Sequence, residues 1–195
     1  MSAGLEGRLG AVRWRVSLLF PALVTVLLLC QPEGLALPCL LASLIHEGGH
    51  LLAMLLAGCP PESCTVGAFG ARIVTDGRRM PGYGRQIAIS LAGPGINLLA
   101  AAGLWAAGCP RAAAVHGALG VFNLLPAAAL DGGQVLRCLL CLRVAPERAE
   151  RVLRAVSAAV LLPLAAGALY LVLPGRGNGS LLIVCLYLTG LVFSG

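Results

Sequence analysis

Long apolar runs alternate with short polar segments along most of the chain. A helix needs about 20 residues to cross the hydrocarbon layer of a bilayer, and six runs approach or reach that length. The pattern therefore predicts an all-α polytopic membrane protein with about six transmembrane helices. The predicted spans are residues 16–30, extended upstream past Arg13 and Arg15 to gain length, then 35–57, 86–108, 112–130, 155–173 and 180–193.

Two stretches depart from this helical pattern. Residues 64–75 mix apolar residues with Thr and Gly without a helical period, and the pair Asp76-Gly77 that follows is a turn signal. We expect a short β-hairpin-like loop here, at the membrane face after the second span. Asn123 and Pro126 interrupt the fourth span, and such a break survives at membrane depth only where the backbone faces protein or a wet cavity.

The composition supports a membrane protein. Of 195 residues, 58% are hydrophobic and 11% are charged, and the mean hydropathy of +0.91 is too high for an ordinary soluble domain. We expect a single domain over residues 1–195, with a motif core at 35–142, a polar connector at 143–154 and a C-terminal helical pair at 155–193.

The basic residues are distributed as the positive-inside rule requires. The net charge of +6 comes from 14 basic residues, all of them arginine, against 8 acidic ones. Twelve of the arginines fall in segments 8–15, 72–85 and 137–154, which alternating spans place on one side of the bilayer. We expect a multi-pass protein of the cell membrane with both termini cytoplasmic, in contact with lipid and not with nucleic acid.

The second span contains the sequence H-E-G-G-H. His46, Glu47 and His50 are the only His, Asp, Glu, Arg or Lys residues between positions 35 and 57, and such groups inside a membrane span are costly unless paired or coordinated. On a helix, positions i and i+4 share one face, so both imidazoles can bind one metal ion while Glu47 lies beside it. The alternative is a pair of hydrogen-bonded histidines that pack a helix bundle.

A third zinc ligand is expected, because catalytic zinc sites have three protein ligands and one open position. Asp131 is the only carboxylate between Arg85 and Arg137, and it ends the predicted fourth span. We therefore predict Asp131 as the third ligand. The alternative is a helix cap, since Asp131 followed by Gln134 matches a capping box.

Three more polar residues lie in apolar segments. Asn97 and Asn123 either form hydrogen bonds between helices or, as we predict, contact the substrate carbonyl near the metal. His116 is interpreted as an interfacial histidine, because 15 residues of regular helix would separate it from Asp131 by roughly 22 Å.

These motifs carry a family resemblance. H-E-G-G-H in a membrane span, A-G-P-G-I-N at 92–97 and F-N-L-L-P-A-A-A-L-D-G-G at 122–133 resemble, in order and rough spacing, the site-2 protease family of intramembrane zinc metalloproteases. The six-span size is most similar to the stage IV sporulation protein FB branch, whose members cleave a membrane-associated pro-sigma factor.

The resemblance implies a zinc-dependent intramembrane protease that acts on a membrane-embedded or membrane-tethered protein substrate, together with regulatory membrane proteins. By position it implies His46, His50 and Asp131 as Zn²⁺ ligands, Glu47 as the catalytic glutamate, and Asn97 and Asn123 at the substrate site. A rival function is that of a membrane metal-binding module without catalysis, such as an inactive homologue or a metal carrier. The intact Glu47 argues against it, because a pure binding site needs no carboxylate beside the metal.

Overall fold

The structure of the chain, a computed structural model, describes residues 4–9, 12–17, 35–67, 70–75, 81–173 and 180–194. These residues form helices and a small sheet. In chain order the elements are β1 (Gly4–Leu9), β2 (Val12–Ser17), α1 (Ala36–Leu56), β3 (Pro61–Gly67), β4 (Gly70–Thr75), α2 (Tyr83–Ala106), α3 (Pro110–Asn123), α4 (Asp131–Cys141), α5 (Pro146–Val172) and α6 (Ser180–Ser194).

Three helices of the described chain are long and apolar enough to cross a membrane, namely α1, α2 and α5. They correspond to the second, third and fifth predicted spans. Helix α6 lies where the sixth span is predicted, but it has 15 residues, fewer than the roughly 20 that cross the hydrocarbon. The first predicted span lies mostly in residues 18–34, outside the described residues. The membrane character of the chain thus rests on three helices.

The fourth predicted span, at 112–130 with a break near Asn123 and Pro126, is divided between two helices in the structure. Helix α3 ends at Asn123, the chain turns through residues 124–130, and α4 begins at Asp131. The physical reason is Pro126, which has no backbone N–H and disfavours helical geometry at the residue before it.

The predicted polar connector at 143–154 is also mostly helical, because Pro146 begins α5, and proline is well suited to the first helical position.

The prediction that the first span extends upstream past Arg13 and Arg15 is wrong. Val12, Trp14 and Val16 alternate with polar residues, which is the period of a strand, and β2 pairs with β1 in antiparallel register. Strand β2 also pairs in parallel with β3, and β3 pairs with β4 in antiparallel register. The order of the sheet is therefore β1-β2-β3-β4, which leaves β1 and β4 as its edges.

The stretch 64–75, for which the sequence predicts a hairpin-like loop, falls in β3 and β4. Cys64 is opposite Ile73, and Gly67 is opposite Gly70. Residues 68 and 69, between the two strands, lie outside the described residues. Because β3 is an inner strand, β4 is the outermost of the described strands on this side of the sheet.

Glycines end two of the helices that are long and apolar enough to cross a membrane. Gly58 has φ +70° and Gly108 has φ +75°, a left-handed conformation that glycine adopts without steric cost. After α1, the N–H of Cys59 donates to the carbonyl of Met54 at 3.0 Å, which is the Schellman pattern of helix termination. The same pattern recurs after α2. Both helices thus stop with their last carbonyls satisfied.

Small residues allow α1, α2 and α3 to approach one another closely. A β-carbon at Gly49 of α1 would lie 2.8 Å from the carbonyl oxygen of Ala92 in α2, and one at Gly120 of α3 would lie 3.2 Å from the carbonyl oxygen of Pro94. Close backbone approach through small residues is the usual way in which membrane helices pack. It brings the motif segments of α1 and α2 together.

Helices α5 and α6 support the turn between α3 and α4. Ala127 in that turn packs with Leu161, Leu188 and Val192. The hydroxyl of Ser157, which is fully buried, accepts a hydrogen bond from the N–H of Ala128 at 2.9 Å. The turn that precedes Asp131 is therefore held against α5 by both apolar packing and a hydrogen bond.

Candidate metal centre

The two motif histidines lie one helical turn apart on the inner face of α1. Only 6% of His46 and 8% of His50 is exposed, whereas Leu44 and Leu52, on other faces of the same helix, are more than half exposed. This arrangement is suited to lipid, since leucine is stable against acyl chains and imidazole is not. Helix α1 thus directs its polar groups into the protein.

Asp131 reaches the histidines from the first turn of α4. Its Oδ2 atom lies 3.0 Å from His46 Nε2 and 3.3 Å from His50 Nε2, and the two Nε2 atoms lie 3.2 Å apart. Asp131 thus lies beside both histidines, as a third ligand would, and its role as a ligand stays a prediction. Three potential ligand atoms form a nearly equilateral triangle.

The triangle fits a zinc ion. Ligand atoms about 2.0–2.1 Å from a tetrahedral Zn²⁺ are about 3.3–3.4 Å from one another, and two imidazoles with one carboxylate are a common catalytic donor set. Asp131 Oδ2 is also buried, and the polar atoms it faces are the Nε2 atoms of the two histidines, which can donate to it only when they carry a proton. A buried oxygen of this kind calls for an explanation, and a bound cation provides one.

The capping-box alternative for Asp131 is wrong. The N-cap of α4 is Leu130, without a side-chain hydrogen bond, and Asp131 is the first helical residue. Gln134, the other member of the capping box, donates instead to Gln86 at 3.4 Å and accepts from Arg137 at 3.2 Å. The Asp131 carboxylate is therefore directed at the histidines.

Two glycines allow Asp131 to take this position. A β-carbon at Gly132 would overlap the carbonyl of Leu124, and one at Gly133 would overlap the carbonyl of Ala127. The first turn of α4 therefore lies directly against the preceding turn of the chain. This close approach fixes the backbone position of Asp131, from which its side chain reaches the histidines.

The orientation of His50 is set by the backbone of α2. Its Nδ1 donates to the carbonyl oxygen of Ile89 at 2.8 Å, so its proton is on Nδ1 and the lone pair of Nε2 faces Asp131. A hydrogen bond of this type fixes the tautomer of a metal-binding histidine. Gly93 lies against the other side of the ring, where a β-carbon would overlap the imidazole.

His46 is linked in space to two further polar side chains, those of Asn97 and His116. Its Nδ1 lies 3.3 Å from Asn97 Nδ2, and Asn97 Oδ1 lies 3.1 Å from His116 Nδ1. Asn97 is fully buried, with both polar ends of its carboxamide taken up by histidines. Since His116 is buried as well, its interpretation as an interfacial histidine is wrong.

The position of His116 beside Asn97 could have been predicted only from the packing of α3 on α2. The estimate of 22 Å counted only the path along the chain to Asp131. The relevant distance is across the helix interface, where α3 folds back against α2 after the turn at Gly108. A sequence without knowledge of that interface gives no reason to pair Asn97 with His116.

Asn123 and Glu47 do not belong to the converging group, whose members are His46, His50 and Asp131. Asn123, half-buried at the end of α3, donates from Nδ2 to the carbonyl of Leu119 at 3.0 Å. Glu47 is half-buried on α1 between the two histidines in sequence. Their roles at the substrate remain predictions.

Comparisons with known proteins match part of the chain by sequence and all of it by fold. Residues 109–164, which include Asp131 and His116, match the model of Peptidase family M50. The site-2 protease from Methanocaldococcus jannaschii superposes on the chain with a TM-score of 0.72 at 18% identity, over 100% of this chain and 94% of that one. The chain shares the fold of that site-2 protease.

A curated relative gives a partial match. A protein of Synechocystis sp. whose name describes it as a putative zinc metalloprotease is 32% identical over 114 residues, or 52% of this chain. The match covers 30% of the relative's length, so the chain spans much less than that whole protein. The remaining 70% of the relative's length lies outside the match.

Proposed function

We propose that the chain is a zinc-dependent intramembrane endopeptidase of the site-2 protease family, acting on a membrane-embedded or membrane-tethered protein. The observation that carries the proposal is the convergence of His46 Nε2, His50 Nε2 and Asp131 Oδ2 within 4.8 Å of one another beside apolar helices. Burying ionisable groups at such a place is costly unless they are paired or coordinate a metal. The cluster therefore indicates a functional site. The partial matches to Peptidase family M50 and to a zinc metalloprotease support it.

In this proposal His46, His50 and Asp131 hold Zn²⁺. Bound there, the ion would supply the Lewis acidity needed to activate a water molecule and to polarise the scissile carbonyl. Glu47 accepts the proton of that water and donates it to the leaving amine, as a general base and then a general acid. Its place next to His46 on α1, outside the ligand triangle, suits this part.

Asn123 is the candidate for contact with the substrate carbonyl. Its Nδ2 donates to its own helix at Leu119, and it lies at the end of α3, where the chain leaves the helix. A carboxamide N–H at such a position can hold a carbonyl or stabilise the oxyanion that develops from it. Asn97 was predicted for the same part, but both ends of its carboxamide are committed to histidines, and we assign it another role below.

The edge strand β4 is proposed as the place where the substrate is held extended. A helical substrate hides its peptide bonds, and an extended segment can add to a free sheet edge as a further strand. Among the described strands β4 is an outer one, and in the chain it follows α1, which carries His46 and His50, and precedes α2. Three further points remain predictions. They are the cytoplasmic location of the arginine-rich side, the similarity to the stage IV sporulation protein FB branch, and a pro-sigma factor as the substrate.

Coexpression with candidate membrane-tethered substrates tests the proposal, with the native chain compared with Glu47→Gln. We expect Glu47→Gln to abolish cleavage while the purified protein keeps about one zinc, because the glutamate acts on water. Zinc binding without cleavage of any substrate by the native chain would favour the metal-binding module. Loss of zinc in Glu47→Gln would place Glu47 among the ligands and contradict its assigned role.

A further inference from the structure

His46, Asn97 and His116 form a buried hydrogen-bonded chain across three helices. The chain runs from α1 through α2 to α3, with distances of 3.3 Å and 3.1 Å. Asn97 is 0% exposed and His116 is 4% exposed. A buried polar group left without a partner is destabilising, so each member of this chain depends on the next.

The proton on His46 decides whether it can bind a metal. In a neutral imidazole one nitrogen donates and the other accepts. If the NH₂ group of Asn97 donates to His46 Nδ1, the His46 proton lies on Nε2, the atom that faces Asp131. A histidine ligates through a nitrogen without a proton, so this arrangement excludes the metal.

A half turn of the Asn97 carboxamide gives the opposite arrangement. The turn exchanges the oxygen and nitrogen in place, so that the oxygen accepts from Nδ1–H of His46 and leaves its Nε2 lone pair to the site. The NH₂ group then faces His116, and it is satisfied only if His116 Nδ1 is an acceptor. The metal-binding form of His46 therefore requires a particular tautomer of His116.

We propose that Asn97 and His116 are positioning residues that hold His46 in its metal-binding tautomer. The inference rests on the proposed zinc site. His50 differs, because its Nδ1 donates to the Ile89 carbonyl, an acceptor that cannot become a donor. At the corresponding place His46 has a side-chain amide that can face either way, and the direction of that amide is coupled to the tautomer of His116.

Two substitutions at His116 separate the hydrogen bond from packing. Asparagine places a polar atom close to the position of Nδ1, whereas leucine has a similar bulk without polar atoms. Loss of a partner behind a ligand typically costs about 10–100-fold in metal affinity. We expect His116→Leu to weaken zinc affinity by about tenfold or more on that scale, and His116→Asn to retain it within a few-fold.

Zinc affinity is measured on the full chain in detergent by competition with a chelator. Ser90→Ala is the matched control, because Ser90 is a buried polar residue of α2 two turns before Asn97 and should leave the affinity unchanged. Equal affinities of His116→Leu and the native chain would overturn the inference. So would an equal loss in the Leu and Asn variants, since that would indicate packing alone.

Nitrogen-15 NMR reads the tautomers directly. The chain has three histidines, so the imidazole spectrum contains three residues, and His116→Asn assigns one of them. In the zinc-loaded protein we expect the His116 proton on Nε2, and a proton on Nδ1 would overturn the inference. A native chain that binds zinc, with a His116 proton on Nδ1, contradicts the inference alone; a native chain that binds no zinc contradicts the proposed function as well.

Discussion

Gly93 of α2 lies directly against the imidazole of His50, so that any side chain at position 93 would occupy the space of the ring. The ring cannot move away freely, because its Nδ1 is bonded to the carbonyl of Ile89. A glycine in one spanning helix therefore determines where a candidate metal ligand in another can lie. The effect is steric and needs no contact between Gly93 and the metal.

Gly93→Ala should displace the His50 ring and lower the zinc content. Overpacking of a buried contact costs about 1–3 kcal/mol, and here displacement of the His50 ring would relieve the strain. Gly95→Ala is the matched control, since a β-carbon at Gly95 meets nothing within 4 Å. Zinc per protein, measured by mass spectrometry after purification, should fall for Gly93→Ala only. Full zinc occupancy in that variant would show that the ring has another place to go.

The neighbouring glycines of the H-E-G-G-H motif should respond differently to alanine. A β-carbon at Gly49 would lie 2.8 Å from the Ala92 carbonyl oxygen, whereas one at Gly48 would meet nothing within 4 Å. We expect Gly49→Ala to lower the unfolding temperature in detergent through a loss of about 1–3 kcal/mol. Gly48→Ala should keep or raise it, because alanine favours a helix over glycine by about 1 kcal/mol. The reverse order would mean that α1 packs on α2 in another rotation.

Asp131→Ala should lower both zinc content and cleavage, since it removes one of three ligands. The matched control is Gln134→Ala, one turn further along α4, which removes bonds to Gln86 and Arg137 and leaves the triangle intact. The readouts are zinc per protein and thermal unfolding of the metal-free chain. Normal zinc content with a lower unfolding temperature in Asp131→Ala would indicate a structural part for the carboxylate.

The site was more accessible to sequence analysis than the fold around it. Helical spacing alone places His46 and His50 on one face, and the scarcity of carboxylates selects Asp131. The path by which Asp131 arrives was not predictable, because it depends on how closely Gly132 and Gly133 pack against the preceding turn. That contact exists only in three dimensions.

The upstream extension of the first span and the break in the fourth span both depend on local sequence patterns. The alternation of Val12, Trp14 and Val16 with polar residues has the period of a strand, but the apolar run that follows it favoured a continuous helix. The break in the fourth span was signalled by Asn123 and Pro126, and α3 does end at Asn123, but the sequence did not show how far the turn would run before α4 begins at Asp131. His116 is a different case, since its partner Asn97 is 19 residues away and no local pattern joins them.

The last prediction concerns the edge strand β4. In an antiparallel pair, alternate residues direct their N–H and C=O groups to the partner strand, and those between direct them to the open edge. Proline removes a backbone donor without adding charge. Single prolines at Ala71, Arg72, Ile73 and Val74 should therefore alternate between variants that weaken pairing with β3 and variants that change only the free edge.

If the substrate adds to this edge, at least one proline variant of β4 keeps zinc and the native unfolding temperature but loses cleavage. Prolines at Glu6 and Gly7 in β1, the opposite edge of the same sheet, are the controls and should leave cleavage intact. Cleavage is followed in cells with a membrane-tethered substrate, and zinc and unfolding on the purified chains. Unchanged cleavage in all four β4 variants would mean that the substrate is held elsewhere. Equal losses at both edges would mean that the sheet acts only through its stability, because a substrate strand can add to β4 without touching β1.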